Sequence, residues 1–223
     1  MNIRSPKLDV AAPLVLLTGF NAFGGDLINP SWLAAQTLHG VNIEGHQIIA
    51  AQLPTQFDAS RQSLAALLRQ YKPALVLCLG VAAGRPGLSL ERVAINVQDA
   101  RIPDNVGSQP IDVPVVESGP AAYFSSLPIK SMLQALTSAG ISVEVSQTAG
   151  TFVCNHVFYW LMHQLKNNRK IPQTRGGFIH VPNLPEQGSP SMSLDEIVRG
   201  LRVAITVALT SGRDASIGAG ALS

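Results

Sequence analysis

The 223-residue chain is long enough for one good-sized domain with a substantial buried core. Only 13% of it is charged, against a usual ~25%, and 46% is hydrophobic, which excludes a disordered chain or a long coiled coil. Lys and Arg number 16 against 14 Asp and Glu, a formal net charge of +2 that argues against a nucleic-acid or anionic-membrane footprint and suits an apolar face shared between subunits.

Met1 to Leu17 faintly imitates a signal peptide, with Arg4 and Lys7 ahead of an apolar run. Asp9 interrupts it, and the run leads into Thr18-Gly19-Phe20 rather than a small-residue cleavage site. Residues 1–13 are therefore expected to be a tail, and the protein cytoplasmic. No apolar stretch reaches the ~18 residues of a membrane span.

Short apolar runs then recur at Leu14–Thr18, Ile48–Leu53, Ala74–Gly80, Val93–Val97, Ser142–Ser146 and Phe178–Val181. Each has strand length, and several lack polar alternation, as expected of strands covered on both faces. Helical patterns lie between them. Asn29-Pro30 offers an N-cap followed by Pro at the first helical position, opening a helix to about His39. Further helices are expected from Phe57 to Tyr71, from Ile129 to Ala139 and from Cys154 to Lys166. Ser193-Leu194-Asp195-Glu196 reads as a capping box for a last helix running to about Thr210. Alternation of this kind predicts one domain, residues 14–215, built as an α/β/α sandwich around a largely parallel, mixed twisted sheet, with a flexible tail over residues 216–223. Residues 98–130 depart from the pattern: five prolines and little periodicity read as a lid, a binding loop, an interface arm or a plain surface excursion.

Cys78 and Cys154 allow one disulfide that a chain of this size does not need. Cys78, inside an apolar run, reads as a small buried thiol. Cys154 follows a strand and a Thr148-Ala149-Gly150-Thr151 turn, so it falls in the first turn of a helix, where free N–H groups and the dipole stabilise a thiolate and receive an oxyanion. It also falls on an apolar stripe with Val157, Phe158, Leu161 and Leu165, and from spacing alone packing is the favoured reading. Among five histidines, His180 is expected at the carboxyl end of a buried strand, the edge where open α/β sheets gather catalytic groups, either as a base for such a thiol or as a hydrogen-bonded core residue. His156 and His163 share a helix, but no C-x-x-C or H-E-x-x-H accompanies them, and no metal is expected. Glu91 shares strand parity with Val93, Ile95 and Val97. It either orients a histidine or lies outside the strand and pairs with Arg92 or Arg101. Thr18–Gly25 is a glycine-rich turn that lacks a P-loop ending, and Phe20 and Phe23 frame it in a way that suits a small, flat, uncharged ligand or ordinary packing.

Taken together, Leu17-Thr18-Gly19-Phe20, Phe23-Gly24-Gly25, Asn29-Pro30-Ser31-Trp32, Glu91-Arg92-Val93-Ala94-Ile95-Asn96, Ala100-Arg101-Ile102-Pro103-Asp104-Asn105, Gly119-Pro120-Ala121-Ala122-Tyr123, Ala149–His156 and Gly176-Gly177-Phe178-Ile179-His180 resemble the pyroglutamyl peptidase I family of cysteine peptidases, in family order over most of the chain. The resemblance implies a catalytic Cys154, His180 and Glu91, with Arg101 beside the nucleophile and Phe20 and Phe23 holding a pyroglutamyl ring. Backbone near Val153 or Val81 would hydrogen-bond that ring. It further implies hydrolysis after an N-terminal pyroglutamyl residue of peptides, no cofactor and a tetramer. Another cysteine amidase or acyl transferase with the same trio, or a non-catalytic binding protein of the same fold, are the alternatives. One departure shows: Gly80-Val81-Ala82-Ala83-Gly84-Arg85 stands where family sequences often read Gly-Gln-Ala-Gly-Gly-Arg.

Overall fold

Strands without polar alternation need a cover on each face, and the computed structural model, which describes residues 12–168 and 173–220, shows both covers. The main sheet has seven strands in the order β2-β3-β1-β4-β9-β5-β8. These are β1 (Leu14–Phe20), β2 (Asn42–Ile43), β3 (His46–Leu53), β4 (Leu75–Val81), β5 (Leu88–Glu91), β8 (Val143–Ser146) and β9 (Arg175–Val181). Neighbours run parallel except at β2–β3 and at β5–β9. A separate ribbon pairs β6 (Val93–Ile95) with β7 (Ala122–Phe124), antiparallel.

Alternation along each strand sorts its side chains into two cores. In β4, Leu75, Leu77 and Leu79 join one core, while Val76 and Cys78 join the other. The first core also takes Ile179 and Val181 of β9 and is closed by α1 (Pro30–Thr37), α3 (Ile129–Ser138) and α5 (Leu194–Thr210). The second takes Phe178 of β9 and is closed by α2 (Phe57–Tyr71) and α4 (Val153–Asn167), which pack on each other. The result is the expected single-domain α/β/α sandwich around a mixed, mostly parallel sheet. Local signals set the helix starts. Asn29 caps α1 by accepting from Ser31 N at 3.1 Å, Pro30 takes the first position, and Ser193 and Glu196 close a reciprocal box on α5.

The expected 93–97 strand is shorter and belongs to the ribbon. Glu91 does not share a strand with Val93; it ends β5 in the main sheet, which the sequence pattern had merged with β6. Within residues 98–130, the segment 122–124 is strand β7 and α3 begins at Ile129. The remainder is pinned: Gln98 bridges Val113, and Asn96 donates to Val116 O at 2.9 Å and accepts from Val116 N at 2.9 Å. Most of the expected N-terminal tail, residues 1–11, and the last three residues of the C-terminal one lie outside the described residues. No helix among the described residues is long and apolar enough to cross a membrane.

Candidate active site

α4 begins at Val153, so Cys154 occupies its first turn as the spacing predicts. Its N-cap, Phe152, has no side chain able to accept from the free N–H groups there, which leaves them available at the thiol. The sulfur rests against the sheet. A Cβ built on Gly80 would come within 2.7 Å of Cys154 Sγ and 2.9 Å of the Phe178 ring, so only glycine fits at this point of β4. Gly80 is in register with His180 on β9, whose backbone lies about 4.8 Å away across a strand pair. Paired residues of adjacent strands point to one face, so the imidazole stands on the face where the sulfur lies. Phe178, two residues earlier on that face, contacts the His180 ring at a centroid distance of 4.8 Å.

Parity also carries Glu91 to this face, because Ser89 pairs with His180 and Glu91 follows by two. Its carboxylate is fully buried, and Oε1 lies 2.7 Å from His180 Nδ1. The carboxylate accepts, so Nδ1 carries the proton and Nε2 is the nitrogen left to take one up. Oε1 also accepts from Arg85 Nη1 at 2.9 Å, while Oε2 is buried with no hydrogen-bond partner among the described residues. The ion-pair alternatives in the sequence reading, Arg92 and Arg101, are replaced by Arg85. Arg92 instead donates to Ala219 O at 3.0 Å.

Burial pushes the Cys154 thiol up to about 12, Glu91 and Cys78 add to the rise, and Arg85 counteracts it. The helix start alone therefore does not make a thiolate here; the sulfur needs a neighbouring base to take its proton. Cys78 is a buried core thiol also raised to about 12 by burial, and both cysteines are free.

A cavity of about 250 Å³ opens at Cys154, below the ~300–1,000 Å³ of a site for a drug-sized molecule. Phe20, Phe23, Thr55, Val81, Phe152 and Val153 are among its walls, which are mostly apolar. Phe23 meets Phe152 at 5.3 Å between centroids, and Phe152 meets Phe57 edge-on at 5.3 Å. The four pocket residues expected from sequence, Phe20, Phe23, Val81 and Val153, thus share this cavity with the thiol. Arg101 does not: it is exposed, is absent from the cavity wall, and its guanidinium makes no hydrogen bond or ion pair among the described residues.

Sequence reasoning missed several residues that hold the site. Asn155, beside the cysteine, is fully buried; it accepts from Ile95 N at 3.0 Å and donates to Ile95 O and Val97 O at 2.9 and 3.0 Å, fastening the start of α4 to the ribbon. Asp104 accepts from Phe57 N at 3.0 Å and so caps α2 from a distant loop. Asn21 accepts from Thr55 N at 2.7 Å, tying the first turn to the far wall. Their only sequence signal was position, Asn155 and Asp104 within family motifs and Asn21 between two of them. The other histidines have different duties: His156 Nδ1 donates to Gln98 Oε1 at 2.8 Å, His163 faces the Tyr123 hydroxyl at 2.9 Å, and His39 accepts from Ala50 N at 3.1 Å.

A partly buried thiol at a helix start, on the same sheet face as a carboxylate-bound imidazole, suits a thiol-dependent hydrolase. A family model described as pyroglutamyl peptidase matches residues 14–211. A pyrrolidone-carboxylate peptidase of Bacillus cytotoxicus is 52% identical over 205 residues, 90% of this chain and 94% of the relative. One of Bacillus cereus is 54% identical over 202 residues, 88% and 93% of the two chains. Among solved structures, pyroglutamyl peptidase I of Bacillus amyloliquefaciens superposes with a TM-score of 0.90 at 44% identity, covering 93% of this chain and all of that one. A mutant pyrrolidone carboxyl peptidase of the hyperthermophile Pyrococcus furiosus gives 0.85 at 40% identity, covering 88% and 98%. The chain is thus a peptidase by kinship. It belongs to the pyroglutamyl peptidase family, a family of cysteine peptidases.

Proposed function

We propose that this protein hydrolyses the amide bond after an N-terminal pyroglutamyl residue of peptides, with Cys154 as nucleophile, His180 as acid and base and Glu91 as the group that orients His180. The observation that carries the assignment is the register of Gly80 with His180: the sulfur lies over the glycine, on the face of the imidazole that Glu91 holds at 2.7 Å. In this reading His180 Nε2 takes the proton of Cys154, and the sulfur attacks the carbonyl carbon joining the ring to the next residue. The backbone N–H groups at the start of α4 hold the oxyanion, where losing one such donor typically costs ~3–4 kcal/mol of barrier. The C–N bond breaks, and the imidazolium gives its proton to the leaving amine. Water, deprotonated by His180, then attacks the thioester, freeing pyroglutamate and the thiol. Glu91 stays ionised throughout and offsets the imidazolium.

Pyroglutamate is a neutral lactam, so its site needs an apolar slot with a few hydrogen-bonding groups rather than an acidic anchor for an α-ammonium. The cavity walls of Phe20, Phe23, Val81 and Val153 support that assignment. Arg101, a cation with no side-chain partner among the described residues, would approach the acyl oxygen once substrate is bound. Two free thiols favour a reducing, cytoplasmic setting. Exposed Leu27, Phe124 and Ile111, each more than two-thirds exposed, favour assembly of copies of the chain, as a tetramer. The test of function is release of a dye from a pyroglutamyl amide, with prolyl and glutamyl amides as controls. Wild type should release it selectively and Cys154→Ala should not; near-normal turnover by Cys154→Ala removes the nucleophile, and equal turnover of all three amides removes the specificity.

A further inference from the structure

Arg85 is the one cation in contact with the buried carboxylate, among the described residues. It follows β4 in a turn closed by its own N–H on Ala82 O at 3.2 Å. From there Nη1 reaches Glu91 Oε1 at 2.9 Å, Nη2 reaches Thr148 O at 3.3 Å, and Nη1 lies 3.9 Å from Glu144 Oε1 on β8. One guanidinium therefore joins the loop after β4, the end of β5 and the turn that leads into α4. In order, those three segments follow Gly80, carry Glu91 and precede Cys154.

Two features show what the contact does. Among the described residues both hydrogen-bond partners of Glu91 use Oε1 and Oε2 is buried without one, so the polar contacts that orient this carboxylate are those to His180 and Arg85. A fully buried carboxylate is also costly to ionise unless a charge faces it. With Arg85 present, carboxylate and guanidinium cancel, and the thiolate left when a proton passes from sulfur to imidazole does not face the carboxylate's charge unopposed. The four groups then alternate in sign: thiolate, imidazolium, carboxylate, guanidinium. With Arg85 removed, Glu91 opposes the thiolate uncompensated.

We propose that Arg85 is a positioning residue for the hydrolysis: it holds the Glu91 carboxylate aimed at His180 Nδ1, and its charge offsets that of Glu91 at the Cys154 sulfur. The proposal rests on the roles given above to Cys154, His180 and Glu91. The ionisable groups facing this cluster are Glu91 on β5, Glu144 on β8, His180 on β9, Cys154 on α4 and Cys78 on β4. Loss of the Arg85 cation removes the charge that counteracts the rise at the Cys154 thiol, which fixes the sign of the test.

Wild type, Arg85→Met and Arg85→Lys are compared by two readouts across pH. One is kcat and KM on a pyroglutamyl amide; the other is the rate of iodoacetamide alkylation of Cys154, followed on its own peptide, which needs no substrate. In Arg85→Met, kcat should fall by about tenfold or more with KM little changed, and the alkylation midpoint should move up by about one pH unit. Arg85→Lys restores the charge without the fork, so its midpoint returns to the wild-type value while kcat recovers in part. An unmoved midpoint in Arg85→Met, or a midpoint in Arg85→Lys matching that of Arg85→Met, overturns the proposal. Should Arg85→Met not fold, Arg85→Lys decides: lowered kcat at an unmoved midpoint supports the role, and full kcat or a displaced midpoint refutes it. If wild type releases no dye from any pyroglutamyl amide, the functional reading fails on its own, and the alkylation profile still reports whether Arg85 sets the state of the sulfur.

Discussion

Gly80→Ala adds a single methyl group at the point where sulfur, imidazole strand and sheet meet. The new carbon would lie 2.7 Å from Cys154 Sγ and 2.9 Å from Phe178 Cζ. Carbon contacts are comfortable near 3.5–4.0 Å, so sulfur and ring have to retreat by about 1 Å. Overpacking of this kind costs about 1–3 kcal/mol of stability, which a 223-residue protein survives. A displacement of about 1 Å at reacting atoms costs on the order of 100-fold in rate. The signature is a folded enzyme, melting only several degrees lower, with kcat/KM on a pyroglutamyl amide reduced about a hundredfold. Thermal melting and steady-state kinetics on the same preparation measure both. A well-folded Gly80→Ala enzyme with wild-type kcat/KM would show that the sulfur does not react from its seat on β4.

Three further substitutions probe the surroundings. Asn155→Ala strands one N–H and two carbonyls of the ribbon; at about 1 kcal/mol each it should lower Tm by roughly 10 °C and reduce kcat, and an unchanged Tm refutes the fastening role. His156 is held down to about 4, chiefly by burial with Arg61 adding to it, against 6.5 unfolded. The unfolded chain therefore takes up the proton first as pH falls, and roughly 3 kcal/mol of stability present above pH 6.5 is lost as pH falls towards 4. Urea midpoints should show this loss in wild type and much less of it in His156→Gln; equal losses would contradict the assignment. Arg101→Ala should leave Tm unchanged and lower kcat/KM severalfold; unchanged kinetics would remove Arg101 from the reaction.

What could be read in advance follows from the range of the signal. Elements marked by local chemistry lie where the sequence puts them: the Asn29-Pro30 start of α1, the Ser193–Glu196 box of α5, and the apolar runs that became β1, β3, β4 and β9. Cys154 and His180 were legible because each sits at an element boundary that the sequence marks. Glu91 was legible as a carboxylate in apolar company, yet its strand was mistaken, because a run from Glu91 to Val97 conceals the turn at Arg92 that passes the chain from sheet to ribbon. Arg85, Asn155 and Asp104 were not legible. Their partners lie 6, 60 and 47 residues away, and pairings across loops leave no periodicity in the sequence. For the same reason Arg101, singled out by its motif, is found on the surface, while the cation that reaches the carboxylate comes from the loop after β4.

On the proposed mechanism the sulfur of residue 154 attacks a pyroglutamyl carbonyl bound in the adjoining cavity. Labelling with the chloromethyl ketone of pyroglutamic acid, followed by peptide mapping, tests nucleophile and pocket together. One adduct is expected, on Cys154, formed in step with loss of activity and slowed by free 2-pyrrolidone. An adduct on Cys78, His180 or any other residue with Cys154 unmodified, or full activity after complete labelling of Cys154, would contradict it.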